Sequence, residues 1–367
     1  MLKLLSVISR RGALVAAAAS SLSLLGPSAA SAADFTGKTI EIVVPVAAGG
    51  GTDLWSRFWA AKVSKYLPGK PTILVRNLPG GGQITGGNSF ATNAKPDGLT
   101  LLASSGTGHF AYLLGDSRVK YDLQKMRTVL ASPVGGIVVV RPEVGAKGPE
   151  DIKKLGGVAL KYGSQGATSQ DLLSFYAFEQ LGLKVTPIMG MRGRNDARLA
   201  YERGELNIDY QNLFLYDDQI EPMIKAGKSI PIFTFGMPGP DGGLVRDPVV
   251  PEIPHYAEAY ETVHGKKPSG LGWEVYQSFF VAGFGAQKLL SLPAGTPDDI
   301  VDAWTAAIKA AMAEPDFDTA KKEVLGPYEQ FVGPDAEKMK MVATTVTPEA
   351  KKAVITWLKE RFNADVE

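Results

Sequence analysis

The chain has 367 residues, room for two compact domains but hardly three, since single cores stop growing near ~250 to 300 residues. With 45% hydrophobic residues, 21% charged residues and a formal net charge of +1, it has a globular composition. That balance excludes a disordered, collagenous or membrane-spanning chain and gives nucleic acid no basic footprint. The absence of cysteine removes disulfides, iron–sulfur clusters and thiol nucleophiles, and of the three histidines, His109, His255 and His264, no two have metal-site spacing. No metal, cofactor or catalytic residue is expected.

Residues 1–32 form a compositional block of their own. Lys3, Arg10 and Arg11 give a basic start, Gly12 to Leu25 is a short apolar run, and Ala30-Ser31-Ala32 is a small-x-small cleavage site. The run is shorter than the ~20 residues that span a bilayer, so the block reads as a secretory signal cut near Ala32. Ser9-Arg10-Arg11-Gly12-Ala13-Leu14 leaves both general and twin-arginine export open. Cleavage removes three basic and no acidic residues, leaving a slightly acidic mature chain in a periplasm.

Onward from the signal, a strand over Thr39 to Pro45 is followed by a helix over Asp53 to Leu67, where Leu54, Trp55, Phe58, Trp59 and Val63 recur at helical spacing. Thr72 to Arg76 is a second strand, Ile84 to Ala94 a helix and Leu99 to Ser104 a third strand, making two successive βαβ units and a parallel sheet. A second alternating series runs from Ile137 to Phe235, with helices over Ser169 to Leu181 and Asn195 to Arg203 and strands at Lys184 to Ile188 and Leu206 to Tyr210. Turn-rich connectors, Ser132 to Gly136 and Gly236 to Gly243, bracket this series. The tail is mostly helical, with Pro297 to Ala313, Pro334 to Thr344 and Pro348 to Phe362, and has too few strands for a sheet of its own. It is expected to pack back on the first unit. The predicted organisation is a signal over 1–32, a discontinuous first lobe over 33–132 plus 236–367, and a second lobe over 133–235. The fold class is α/β, each lobe a mainly parallel sheet flanked by helices, with the ligand cleft between the lobes and two connectors suited to hinge closure.

The chemistry sits in the turns after the strands. Ala48, Gly49, Gly50, Gly51 and Thr52 lead into the first helix; Asn77, Gly80, Gly81, Gly82 and Gln83 lead into the second. Glycine lets a ligand approach the backbone, and the N–H groups at a helix start stay unpaired at the positive end of its dipole. Such turns hold an anion without basic side chains. Ser105 and Thr107, in the loop read after the third strand, add hydroxyls at the same sheet edge. Neither glycine turn ends in the Gly-Lys-Ser/Thr of a nucleotide loop, and the first fails the dinucleotide pattern, so a carboxylate fits better than a phosphate. In the second series, Ser164 and Thr168 are either ligand donors or helix caps, Arg192 and Arg194 either clamp a carboxylate or face solvent, and Asp209 orients the ligand or its own turn. Gly163-Ser164-Gln165-Gly166 has the wrong spacing for a nucleophile elbow.

The run Ile42 to Asp53, the turn Asn77-Leu78-Pro79-Gly80-Gly81-Gly82 and Pro96-Asp97-Gly98-Leu99-Thr100-Leu101-Leu102 together resemble the tripartite tricarboxylate transporter receptors, also called Bug-type periplasmic binding proteins. Tyr162-Gly163-Ser164-Gln165-Gly166, Arg192-Gly193 and Leu292 to Pro297 extend the resemblance over nearly the whole mature chain. It implies a two-lobed, monomeric, type II-like periplasmic binding protein that captures a small organic carboxylate and hands it to a tripartite tricarboxylate-type membrane permease, with no enzymatic step. In that family the first two glycine-rich turns and the neighbouring third loop contact one carboxylate. Val46 and Met191 replace the usual aromatic residues, which implies a missing aromatic wall, and the stretch from Val263 to Leu292 is expanded. Two rivals stay open: a receptor that presents its ligand to a sensor kinase, and an exported hydrolase using Ser105 or Ser164 with His109.

Overall fold

A computed structural model describes residues 33–239, 243–322 and 324–366. The signal and its cleavage site lie outside the described residues, as do Pro240, Asp241 and Gly242 of the second connector.

The chain enters through β1 (Thr39–Val44), whose Ile40, Ile42, Val43 and Val44 are buried, and continues through α1 (Gly51–Val63), β2 (Thr72–Asn77), α2 (Ile84–Asn93), β3 (Thr100–Ser105) and α3 (Gly106–Leu114). β1 pairs in parallel with both β2 and β3, as the two βαβ units require. Ser104 to His109 is not the loop the sequence suggested. Ser105 stays extended, at φ −147° and ψ 173°, and α3 starts at the next residue. Gly106 opens it at a position where a Cβ would come 3.0 Å from the Gln170 side chain.

β4 (Arg127–Ser132) leads through Pro133-Val134-Gly135 straight into β5 (Gly136–Val140), followed by β6 (Leu160–Ser164), α4 (Asp171–Gln180), β7 (Val185–Met189), α5 (Arg194–Glu202), β8 (Ile208–Asn212) and β9 (Ile230–Thr234). From β5 to β9 these boundaries lie within two residues of the expected ones, while β4 has no counterpart among the expected strands. β6 and β7 are parallel, while β5, arriving without a crossover helix, runs antiparallel to both β8 and β9. The tail adds α6 (Tyr256–His264), α7 (Gly270–Phe280), β10 (Lys288–Leu292), α8 (Asp298–Met312), β11 (Phe331–Val332), α9 (Pro334–Ala343) and α10 (Pro348–Phe362). β10 inserts antiparallel between β3 and β4, giving a six-stranded sheet in the order β11-β4-β10-β3-β1-β2.

The tail divides its packing. α8 and α9 lie against β4, whereas α7 packs on α4, and Arg361 of α10 donates to the Val185 carbonyl at 3.1 Å. The stretch before β10 supplies aromatic core. Tyr256 and Tyr276 stack with centroids 3.8 Å apart and planes 9° off parallel, and Trp273 and Phe280 continue the near-parallel series. One buried cluster holds Val138 of β5, Leu172 of α4, Phe279 of α7 and Leu289 of β10 together. The two sets of strands therefore share a continuous apolar core beside the connectors.

Candidate functional site

In the turn after β1, Gly49 adopts φ +81° and donates its N–H to Asp53 Oδ2 at 2.8 Å. Asp53 is 2% exposed and also accepts from Asn77 Nδ2 at 2.9 Å and Arg57 at 3.0 and 3.1 Å. Burial pushes the Asp53 carboxyl up, but the Arg57, Gly49 and Asn77 bonds outweigh it and hold the group below its ordinary range. Asp53 thus spends its charge on bracing the turn. The first-turn amides of Gly51 and Thr52 have no intrahelical acceptor and sit at the positive helix end, and no N-cap side chain takes one up.

The second turn works at one remove. Gly80, Gly81 and Gly82 have φ of 135°, 56° and 64°, and Gln83 follows at 76°, a run that only a glycine-rich segment tolerates. The three glycines are exposed, and what they deliver is Gln83, whose Nε2 donates to Ser105 Oγ at 2.7 Å. Thr107, at the start of α3, accepts from the Gln170 backbone N–H at 3.4 Å. His109 is fully buried: its Nδ1 faces the Ala282 carbonyl at 3.1 Å and its Nε2 lies 2.9 Å from Ser104 Oγ. Burial lowers its pKa to about 4, so the ring is neutral at pH 7.

From the other set of strands comes a buried ionic knot. Arg194 donates to Asp171 Oδ1 at 2.8 Å, to the Gly163 carbonyl at 3.0 Å and to Asp209, with its guanidinium 4.5 Å from the Tyr210 ring centroid. Asp209 also accepts from Gln211 at 2.6 Å, and burial pushes its carboxyl up to about 6 against the pull of Arg194. Ser164 donates to Asp171 Oδ2 at 3.0 Å and accepts from the Gly166 amide, so its hydroxyl is engaged in the α4 entry. Thr168 is half-buried in the same turn. Arg192 is exposed, its side chain at 89%, and pairs with Asp196 at 2.8 Å.

These turns converge on a cleft of ≈ 520 Å³ at the carboxyl ends of β1, β3 and β8. Of the residues expected from the sequence, Ala48, Gly49, Gly50, Gly51, Thr52, Gln83, Ser105, Thr107, Arg192 and Arg194 line it. Asn77, Gly80, Gly81, Gly82, Ser164, Thr168 and Asp209 are placed outside the lining. Sequence reasoning missed Gln170, Phe214, Gln287 and Lys288, which do line it. Phe214 supplies an aromatic face where Val46 and Met191 offer none. Lys288 is 4% exposed, and its Nζ stands 5.2 Å from the Phe214 ring centroid. The available signal was a single lysine at the head of Leu289-Leu290-Ser291-Leu292, a run otherwise fit for a buried strand. Among the described residues, no three histidine, cysteine or acidic side chains gather where they would hold a metal ion.

No family model matches the chain. It is 28% identical to a UPF0065 protein of Bordetella pertussis over 302 residues, which cover 80% of this chain and 82% of the relative. A TctC solute binding protein from Polaromonas matches with a TM-score of 0.61 at 20% identity, over 87% of this chain and 98% of that one. A Rhodopseudomonas palustris protein with adipate matches at 0.63 and 20% identity, over 89% and 98%. MatC from the same organism, with bound malate, matches at 0.59 and 21% identity, over 88% and 98%. The chain has the fold of the periplasmic binding proteins, and the resemblance carried by its glycine-rich motifs is borne out.

Proposed function

We propose, from this likeness to the Bug-type receptors, that the chain is a periplasmic receptor that captures a small organic carboxylate in the cleft and delivers it to a tripartite tricarboxylate-type membrane permease. The observation that carries the reading is the uncapped start of α1 at the cleft wall, where Gly51 and Thr52 offer backbone donors and the helix dipole attracts an anion. Adipate and malate, held by two proteins of the same fold, are small acids of this class. Four or five charge-assisted bonds of ~1.5 to 3 kcal/mol each support the ~8 kcal/mol of micromolar binding after ordering costs.

The receptor is released by cleavage near Ala32, acts as a monomer, and closes by hinging its lobes, 33–132 plus 236–367 and 133–235, about the connectors. No helix among the described residues is long and apolar enough to cross a membrane. Binding without turnover fits the chemistry of the wall. Ser105 receives a bond from Gln83, Ser164 is tied to Asp171, and the one serine beside His109 is Ser104, 4% exposed and outside the cleft lining.

A thermal-shift screen over malate, adipate, citrate and benzoate, followed by calorimetry, tests the reading. At least one acid should raise the melting temperature and bind unchanged. No shift with any of them, or conversion of a bound ester or amide, would overturn it.

A further inference from the structure

We infer that Lys288 is the charge anchor of the cleft, its ammonium pairing with the carboxylate that the first turn of α1 receives. The inference rests on the carboxylate-receptor reading and names the side chain on which its selectivity turns.

Lys288 opens β10, a strand whose five residues are all buried. Among the described residues no carboxylate lies within ion-pair distance of its Nζ, which stands over the face of Phe214. The contrast is Lys340, 3% exposed, whose Nζ reaches Glu337 Oε2 at 2.5 Å and the carbonyls of Met126 and Gln124 at 2.6 and 3.0 Å. Lys340 is a satisfied structural lysine. Lys288 has the same burial without the partners, an arrangement that disfavours the folded state unless another molecule supplies the counter-charge.

The remaining charges along the cleft are already matched. Arg192 pairs with Asp196, and Arg194, which also lines the cleft, is held by Asp171 and Asp209. That leaves Lys288 as the unneutralised charge among the described lining residues. Its position is shared with the helix start, because Phe214 touches both: the ring's Cζ lies 3.0 Å from where a Cβ on Gly51 would stand. Ammonium and amides therefore address one end of a ligand. Burial pulls Lys288 down to about 7, so an arriving carboxylate restores a proton that the unliganded site holds only partly near neutral pH. A fully charged carboxylate is selected over its amide or ester, and capture strengthens as pH falls from 9 to 6.

The test compares wild type with Lys288→Met, which keeps an unbranched apolar stem out to the ε position and removes the ammonium, and with Lys288→Arg. Each is titrated calorimetrically with malate, adipate, citrate and benzoate at pH 6 and pH 9, and each is melted without ligand. Lys288→Met should weaken binding at least tenfold at pH 6 and much less at pH 9, Lys288→Arg should lie between, and unliganded Lys288→Met should melt no lower than wild type. Wild-type affinity in Lys288→Met overturns the assignment while leaving the carboxylate reading intact. So does a lowered melting temperature in unliganded Lys288→Met, which marks a structural lysine. Failure of malate, adipate, citrate and benzoate alike to bind the wild type strikes the carboxylate reading itself, and the inference falls with it.

Discussion

The ring of Phe214 adjoins both Lys288 and Gly51, with Lys288 Nζ 5.2 Å from its centroid and its Cζ 3.0 Å from the point where a Cβ on Gly51 would lie. Three elements distant in sequence, the α1 start, the segment after β8 and the head of β10, thereby fix one end of the cleft.

Gly51→Val tests that contact. The added side chain must displace Phe214 and cover the amides at the helix start, while φ at Gly51 is not in the left-handed region, so the backbone tolerates it. Carboxylate affinity should fall by about tenfold or more, the loss of one charge-assisted bond, with circular dichroism unchanged. Retained affinity in a folded variant would remove the α1 start from the site.

Much of this arrangement was legible in the sequence. The strand-helix alternation, the parallel pairing of β1 with β2 and β3, and the first turn at the cleft follow from hydrophobic period and glycine placement, which are local signals. What was not legible depends on side chains meeting across the fold. Asn77 braces Asp53, and Gly80 to Gly82 deliver Gln83 to Ser105; composition identifies these turns but not which atoms they spend internally. Lys288 was hidden because nothing local distinguishes an unpaired buried lysine from the paired Lys340.

Stability should carry the signature of Lys288 as well. Its folded pKa of about 7 lies below its unfolded value, so between pH 7 and ~10.4 the unfolded chain keeps a proton that the folded chain has released. Unfolding then becomes harder as pH rises through that window, and the penalty is full below pH 7. Its upper bound is about 5 kcal/mol at 1.36 kcal/mol per pKa unit, reduced by water entering the cleft. Urea unfolding of wild type against Lys288→Met should show the variant ahead at pH 6 and the gap narrowing by pH 9.5. A gap independent of pH would refute the uncompensated charge.

The two cleft arginines should separate cleanly. Arg194→Met leaves Asp171 and Asp209 buried without their counter-charge and should cost about 3 to 5 kcal/mol in urea unfolding. Arg192→Ala removes an exposed charge already paired with Asp196 and should change stability by less than ~0.5 kcal/mol and affinity by no more than about twofold. A strong affinity loss in Arg192→Ala would instead put that guanidinium on the ligand.

Gly135, in the first connector, offers a sharp steric test of how tightly the connectors are packed. A Cβ there would lie 1.8 Å from Asp247 Oδ2 and 2.3 Å from Tyr328 Oη, and those two groups are themselves joined at 3.0 Å. Asp247 and Tyr328 are both buried, so neither can swing into solvent to make room. Gly193, beside Arg192 at the cleft, has φ 176° and open space around its missing Cβ. Gly135→Ala should therefore lose roughly 2 to 3 kcal/mol through overpacking and the broken Asp247–Tyr328 bond, while Gly193→Ala should stay within ~0.5 kcal/mol of wild type. Denaturant midpoints at constant m-value give the comparison directly. Equal midpoints for the two variants would mean that the connector yields without cost and that Asp247 and Tyr328 do not hold it.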